Sequence, residues 1–483
     1  MPHLEIPEPE LLMVPMSDGA KLAVHRYAAA KSPAPAIVQF TPYRKEGAYI
    51  KGKEFADKGF DFYMADVRGF GASTGPYHGL LSEREVQDGV ELIEWIAKQS
   101  SCNGKVALSG GSYTGANQML IAARKPKGLA CIAPMVGPVD TYRDWTRRGG
   151  IWTFAVWGLS YFRGGQRETL KKGLEHYFLE VMADEFDNDG HRKRSPEYVF
   201  SKIEVPALCS GGWYDYFLRG TIRSYMQIKS PRRLVVGPWG HASWQDDGHV
   251  EWFRYWTTGQ GDDPTKKKAV RLYNTGTGEW TERDTWFNFE TAKFTEWKPF
   301  ESDTRVRILP TLAGLNPPPN IRPEYVLDSG FGWWPEVFTV EGEPFKKDAD
   351  IDGPMALEAH VRADACDDFE IHARVSVVKK DGTSVMLNEG RLRAAHRAND
   401  IKRSVLNSEG VPILTWHPHD KAEKMPPGEF VKINIEINPA FHRVAAGERL
   451  RLGISLVRAC DPLVPSEAII GKQTRVLLPV NPA

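Results

Sequence analysis

The sequence predicts a parallel α/β domain interrupted by one helical segment and followed by an all-β domain. Three observations carry this expectation. Short apolar runs alternate with amphipathic helical patterns through the first half, the alternation stops between about 140 and 205, and from about 296 the texture turns to period-two strands. At 483 residues the chain exceeds what one hydrophobic core organises, so two or three domains are expected.

Ser17-Asp18-Gly19 reads as a hairpin turn. The runs "PAIVQF" (35–40), "DFYMADVRG" (61–69), "KVALSG" (105–110) and "LACIAPMVG" (129–137) are short, apolar and bounded by Gly or Pro, as strands buried on both faces are. Between them, "SEREVQDGVELIEWIAKQ" repeats Val86, Val90, Ile93 and Ala97 near helical spacing, with acidic residues leading. Such alternation implies right-handed crossovers and a site at the carboxyl ends of the strands. Residues 140–205 are rich in helix formers and aromatics, and are expected to form a helical cap that leaves and re-enters the sheet at one edge. "PALCSGG" (206–212) and "RRLVVGPWG" (232–240) resume the sheet. Alternating runs such as "MALEAHVRA", "EFVKINIEI" and "ERLRLGISLV" then predict an antiparallel domain of jelly-roll type. The expected units are 1–139 and 206–295 for the α/β domain, 140–205 for the cap and 296–483 for the jelly roll.

Composition narrows the function classes. Lys+Arg and Asp+Glu both number 62, so no net field draws a nucleic acid. The five cysteines are few, odd in number and scattered, which suits reduced thiols better than a disulfide framework. The N-terminus lacks a basic region followed by an apolar stretch, and "IWTFAVWGLSYF" (151–162) is too short to span a bilayer. A cytoplasmic protein without membrane association is the expectation.

The chemistry centres on "LSGGSYTG" (108–115), where Ser112 sits between a strand and a helical stretch. Strand, tight turn and helix form the context in which a serine is presented as a nucleophile, with the helix N–H groups facing a developing oxyanion. The late glycine, Gly115, departs from the usual G-x-S-x-G spacing. A serine needs a base, and the base an orienting carboxylate. "PALCSGGWYDYF" puts Asp215 just past one strand and "LVVGPWGHASW" puts His241 past the next, in the chain order Ser, Asp, His.

These three stretches, with "DVRGFGASTG" (66–75), "EWIAKQSSCNGKV" (94–106), "GPMALEAHV" and "GRLRAAHR", resemble the cocaine esterase/X-Pro dipeptidyl-peptidase (CocE/NonD) family of serine hydrolases over nearly the whole chain. The resemblance implies an α/β-hydrolase domain with an inserted cap and a C-terminal jelly roll. It also implies a G-x-S-Y-x-G motif with Ser112 as nucleophile, Asp215 as acid and His241 as base. From the same resemblance, the Tyr43 hydroxyl in "VQFTPYRKEG" and the Tyr113 backbone N–H become the oxyanion donors. No metal or organic cofactor is implied, and family habit suggests a homodimer. Ser100-Ser101-Cys102 stand where members commonly carry a tryptophan before "NGKV".

The family divides by substrate. Branches that recognise a free ammonium need fixed carboxylates near the nucleophile, some of them two and three positions after the catalytic aspartate. Those positions are Phe217 and Leu218 here. An apolar acyl pocket is therefore expected, with Phe217, Trp145, Trp152, Phe154 and Trp157 as candidate walls and an uncharged, aromatic or bulky ester as the small-molecule substrate. An acylase or X-Pro peptidase is the alternative, and a non-catalytic binding protein using the jelly roll the remoter one. "TWHPHDKAEKMPPG" also offers His417, His419 and Glu423 in a spacing like that of a cupin metal site, with His442 as a speculative fourth ligand. Pro418 favours a loop there instead.

Overall fold

The computed structural model describes residues 9–153, 184–241, 248–309, 338–458 and 466–482. Its first unit is a ten-stranded sheet of β1 (Glu10–Pro15), β2 (Lys21–Tyr27), β3 (Ala34–Thr41), β4 (Asp61–Asp66), β5 (Cys102–Gly111), β6 (Leu129–Met135), β7 (Ala207–Gly212), β8 (Arg232–Gly237), β9 (Val270–Asn274) and β10 (Glu279–Arg283). The spatial order is β1-β2-β4-β3-β5-β6-β7-β8-β9-β10. Strands β4 through β9 run parallel, with the β1–β2 and β10 edges antiparallel. The Ser17-Asp18-Gly19 turn joins β1 to β2, with Gly19 at φ 87°.

The apolar runs are strands because both sheet faces are covered. Adjacent residues Ile37 and Val38 are fully buried in cores on opposite faces. Four helices position the site: α1 (Tyr49–Asp57), α2 (Glu83–Ala97), α3 (Tyr113–Ala122) and, after β7, a helix at Leu218–Gln227. The Ser82 hydroxyl caps α2 by accepting the Glu85 N–H, and Val86, Leu92, Ile93 and Ile96 bury its apolar face.

Residues 140–205 leave after β6 and return at β7. These strands are neighbours inside the sheet, so the expected edge position is corrected: the segment arises over the carboxyl ends of central strands. Residues 154–183 of the expected cap lie outside the described residues, as do Phe154, Trp157 and Cys460. The described ends include one π-helical turn, Thr141–Thr146, and a five-residue helix, Asp189–Lys193.

The C-terminal domain is all-β and of jelly-roll type. Its long strands, Ala349–Ala363, Phe369–Val378, Ser384–Arg393, Val431–Val444 and Arg449–Arg458, belong to an eleven-stranded sheet. Inward residues such as Leu357, Ile371, Ile433 and Leu452 form its core. The pairing is antiparallel except where Ile308 and Leu309 run parallel to Leu456 and Val457, so the wholly antiparallel expectation is corrected there. Asn388 joins the two units by donating to both Trp213 O and Pro439 O at 2.9 Å. Cys102, Cys131, Cys209 and Cys366 are buried, and among the described residues no helix is long and apolar enough to cross a membrane.

The late glycine of "GGSYTG" has a packing reason. A Cβ on Gly115 would lie 2.6 Å from Met135 O and 3.2 Å from the Gly137 Cα, because α3 starts against the backbone leaving β6. Gly115→Ala is expected to destabilise the fold by about 1–3 kcal/mol through overpacking. Gly47→Ala, with open space at its Cβ, should stay within about 0.5 kcal/mol. The shift of the urea midpoint in the two variants measures the difference.

Candidate active site

Ser112 occupies the turn from β5 to α3 with φ 61° and ψ −125°, a region an L-residue enters only when its surroundings hold it there. Its N–H donates to Met135 O at 2.9 Å, and its carbonyl accepts from Gly115 N and Ala116 N. Gly110, at φ 128°, bends the chain beneath it; a Cβ there would strike Thr114 Oγ1 at 2.2 Å. This turn lifts Ser112 Oγ clear of the sheet.

The loops after β7 and β8 supply its partners and are zipped together by backbone bonds. Trp213 N donates to Gly237 O at 3.0 Å and Tyr214 N to Trp239 O at 3.1 Å. Gly212 permits this contact, since a Cβ would lie 2.0 Å from Trp239 O. Asp215 is buried; its Oδ1 accepts the Phe217 N–H at 2.6 Å, and its Oδ2 is 2.6 Å from His241 Nδ1. His241 Nε2 is 2.9 Å from Ser112 Oγ. With the proton on Nδ1 facing the carboxylate, Nε2 is left as an acceptor for the serine hydroxyl. The expected Ser112, Asp215 and His241 therefore form one hydrogen-bonded line.

Tyr43 follows β3. Its hydroxyl lies 3.2 Å from Ser112 Oγ and 3.4 Å from the Tyr113 N–H, so the two expected donors converge beside the serine. The Tyr43 loop is held from below: buried Asp66 accepts the Lys45 N–H at 2.7 Å and lies 3.3 Å from Lys45 Nζ. Gly71 makes room for that carboxylate, because a Cβ would lie 2.0 Å from Asp66 Oδ2. "DVRGFG" is thus a support for the Tyr43 loop.

Of the expected pocket walls, Phe217 and Trp145 are both buried at the site. Phe217 packs edge-on to His241 with ring centroids 5.4 Å apart, and Trp145 meets Phe217 at 6.3 Å and Tyr113 at 6.0 Å. Trp152 is instead 38% exposed and carries the Arg147 guanidinium over its ring, which makes it a surface stacking partner rather than a buried wall.

The rival set of His417, His419 and Glu423 does not converge on one point. Both His417 ring nitrogens face carbonyls, Ala398 O at 2.9 Å and Asn434 O at 3.1 Å. His419 Nδ1 faces His396 Nδ1 at 3.0 Å, Glu423 pairs with Lys421, and His442 bonds Thr275. Among the described residues no three such side chains are grouped to hold a metal.

Sequence reasoning missed Glu85. It sits on α2, one turn in, where acidic residues read as a solvated helix start, yet it is fully buried and bonded to the Tyr113 hydroxyl. That hydroxyl also accepts the Leu81 N–H at 3.0 Å, so Glu85 fixes the ring of the residue whose N–H faces the serine. Burial pushes the Glu85 carboxyl up to about 8. A raised folded-state value means that the stabilisation is complete below the unfolded carboxyl range near 4.5 and is lost as pH rises through about 8. Wild-type Tm is expected to fall between pH 5 and 9 and that of Glu85→Gln, which stays neutral, to fall less; a parallel fall in both proteins would exclude this role.

Comparison with known proteins bears on the family and the fold. The family model described as X-Pro dipeptidyl-peptidase (S15 family) matches residues 18–162 and 162–243. The X-Pro dipeptidyl-peptidase C-terminal non-catalytic domain matches residues 264–455. A cocaine esterase from Rhodococcus is 26% identical over 342 residues, covering 57% of this chain; the chain spans 59% of that relative's length. Among solved structures, a CocE/NonD family hydrolase from Staphylococcus aureus superposes with TM-score 0.79 at 18% identity, covering 98% of this chain and 93% of the other. An α-amino acid ester hydrolase superposes with TM-score 0.79 at 16% identity, covering 98% and 96%. At these identities the two structures establish the fold, an α/β-hydrolase domain carrying a C-terminal all-β domain. With both family models matched in order along the sequence, the chain belongs to the cocaine esterase/X-Pro dipeptidyl-peptidase (CocE/NonD) family of serine hydrolases.

Proposed function

We propose that this hydrolase cleaves a carboxylic ester through an acyl-enzyme on Ser112 and prefers an uncharged, aromatic or bulky apolar acyl group. The observation that carries the reading is the continuous line from Asp215 Oδ2 through His241 to Ser112 Oγ, with Tyr43 and the Tyr113 N–H beside it. His241 Nε2 takes the serine proton as Oγ attacks the ester carbonyl carbon. Asp215 holds the tautomer and balances the imidazolium. The carbonyl oxygen, now negative, accepts from the Tyr43 hydroxyl and the Tyr113 N–H, two neutral donors that need no proton transfer to act. The imidazolium protonates the departing alkoxide, and water then repeats the sequence on the acyl-enzyme, releasing the acid and restoring Ser112.

The acyl preference is supported by the apolar rings of Phe217 and Trp145 next to His241. It is also supported by the absence of a carboxylate at the two positions, Phe217 and Leu218, where an ammonium-recognising branch would carry one.

A fluorophosphonate probe is expected to label wild type and not Ser112→Ala, and that variant should lose on the order of 10⁴-fold or more in kcat. An unlabelled wild type would instead favour a non-catalytic binding role. Tyr43→Phe removes one oxyanion donor and should cost about 10²–10³-fold in kcat with KM little changed. In a panel of phenyl esters, benzoyl and branched alkyl members are expected to lead; a lead by α-aminoacyl members would overturn the acyl assignment.

A further inference from the structure

A cavity of about 50 Å³ lies where the segment after β6, the helix Leu218–Gln227 and the C-terminal domain meet. Four arginines line it, and three are already neutralised. Arg143 pairs with Asp140 at 2.8 Å and Asp187 at 3.0 Å. Arg219 pairs with Asp144 at 2.7 Å, and Arg391 with Glu389 at 2.8 Å. Arg148 is the exception: among the described residues its guanidinium has no carboxylate at ion-pair distance and no hydrogen-bond acceptor, with Glu389, Asp144 and Glu436 acting on it only at longer range. Its position is built in by the backbone. Gly149 adopts φ 63°, and a Cβ there would lie 2.2 Å from Arg391 O, so the Arg148 main chain is pressed against the strand Ser384–Arg393.

The rest of the lining suits an anion. Thr415 and Asn438 are buried residues that bring a hydroxyl and an amide to the cavity, neither with a hydrogen-bond partner among the described residues. Burial and the charge of Arg391 hold the Arg148 pKa down to about 10, against the opposing fields of Glu389, Asp144 and Glu436. Glu436 is the one carboxylate of the lining; Arg219 stands 3.7 Å from it, and burial raises its pKa. A guanidinium without a hydrogen-bond acceptor is met by an anion that offers it two oxygens. A water needs about 10–15 Å³ of such cavity space, so the cavity has room for a carboxylate group.

We propose that this cavity is a binding site for one carboxylate, received by the Arg148 guanidinium with hydrogen bonds from Thr415 and Asn438. The carboxylate has two sources. It is a free small acid, or it is the far end of an acyl chain whose carbonyl end lies by Phe217. The second source rests on the ester-hydrolase reading and would extend the uncharged acyl group to one that is apolar near the carbonyl and anionic at its tip. Trp145 and Phe217, the rings beside the triad, are one residue from Asp144 and two from Arg219, which form an ion pair beside the cavity.

The test has two arms. In the first, Tm is followed while sodium formate replaces sodium chloride at constant ionic strength. Wild type is expected to show a saturable rise of about 2 °C or more, Arg148→Met none, and Arg148→Lys a partial rise. The lysine variant keeps the charge and so separates it from altered packing. In the second, kcat/KM is compared for phenyl hydrogen glutarate and phenyl pentanoate in the same proteins. A preference for the glutarate that falls about tenfold in Arg148→Met assigns the carboxylate to the substrate. A formate rise with an unchanged ratio assigns it to a free acid. The absence of both a formate rise and a changed ratio overturns the proposal. The formate arm does not depend on catalysis, so a chain that hydrolysed no ester would sink the functional reading and leave this one standing or falling on its own.

Discussion

The site depends on holding Ser112 in a backbone conformation that its side chain disfavours. A non-glycine residue at φ 61° costs on the order of 1–3 kcal/mol, and the surrounding structure sustains it in two ways. The Ser112 N–H and carbonyl are both bonded, one to the strand end at Met135 and the other to the first turn of α3. The neighbouring positions 110, 115 and 137 are glycines, so the backbones of the elbow and of the chain leaving β6 touch directly. Relaxing the turn would lower Oγ toward the sheet and away from His241 and Tyr43.

The partners reach Ser112 from three other loops, and each has its own anchor. The β7 and β8 loops are tied backbone to backbone, which sets the distance between Asp215 and His241 before any side chain is considered. The Tyr43 loop is tied to the buried Asp66, and Tyr113 to the buried Glu85. These buried charges and near-charges contribute little net stability against apolar replacements. Their value is directional: a buried carboxyl group bonded to a fixed donor restricts its neighbour to one conformation, and a reaction that needs donors placed within tenths of an ångström uses that.

The seam between the α/β domain and the C-terminal domain follows a different logic. Burial and the arginine charges lower the pKa values of His417, His419 and His396 there, His417 to about 4. The H-x-H spacing that suggests a metal site fails because the chain is not a strand there. His419 adopts φ 56° after Pro418, which turns the second ring toward His396 while carbonyls occupy both nitrogens of the first.

Local pattern determined much of this protein. Apolar runs bounded by Gly and Pro marked six strands of the first sheet, because a strand covered on both faces must be apolar throughout. The order of Ser112, Asp215 and His241 past successive strand ends was legible because a parallel sheet presents its loops on one side. Tyr43 entered only through resemblance, since nothing in a loop tyrosine's neighbours reveals what it faces. Glu85, Asp66 and Arg148 were not legible. A charged residue looks solvated in a sequence, and whether it is buried, paired or left unpaired depends on elements distant in the chain. Packing decided those, along with the return of the 140–205 segment between central strands rather than at an edge and the parallel pairing at Ile308. Burial and charge pairing are properties of the assembled surface, and only the tertiary structure supplies it.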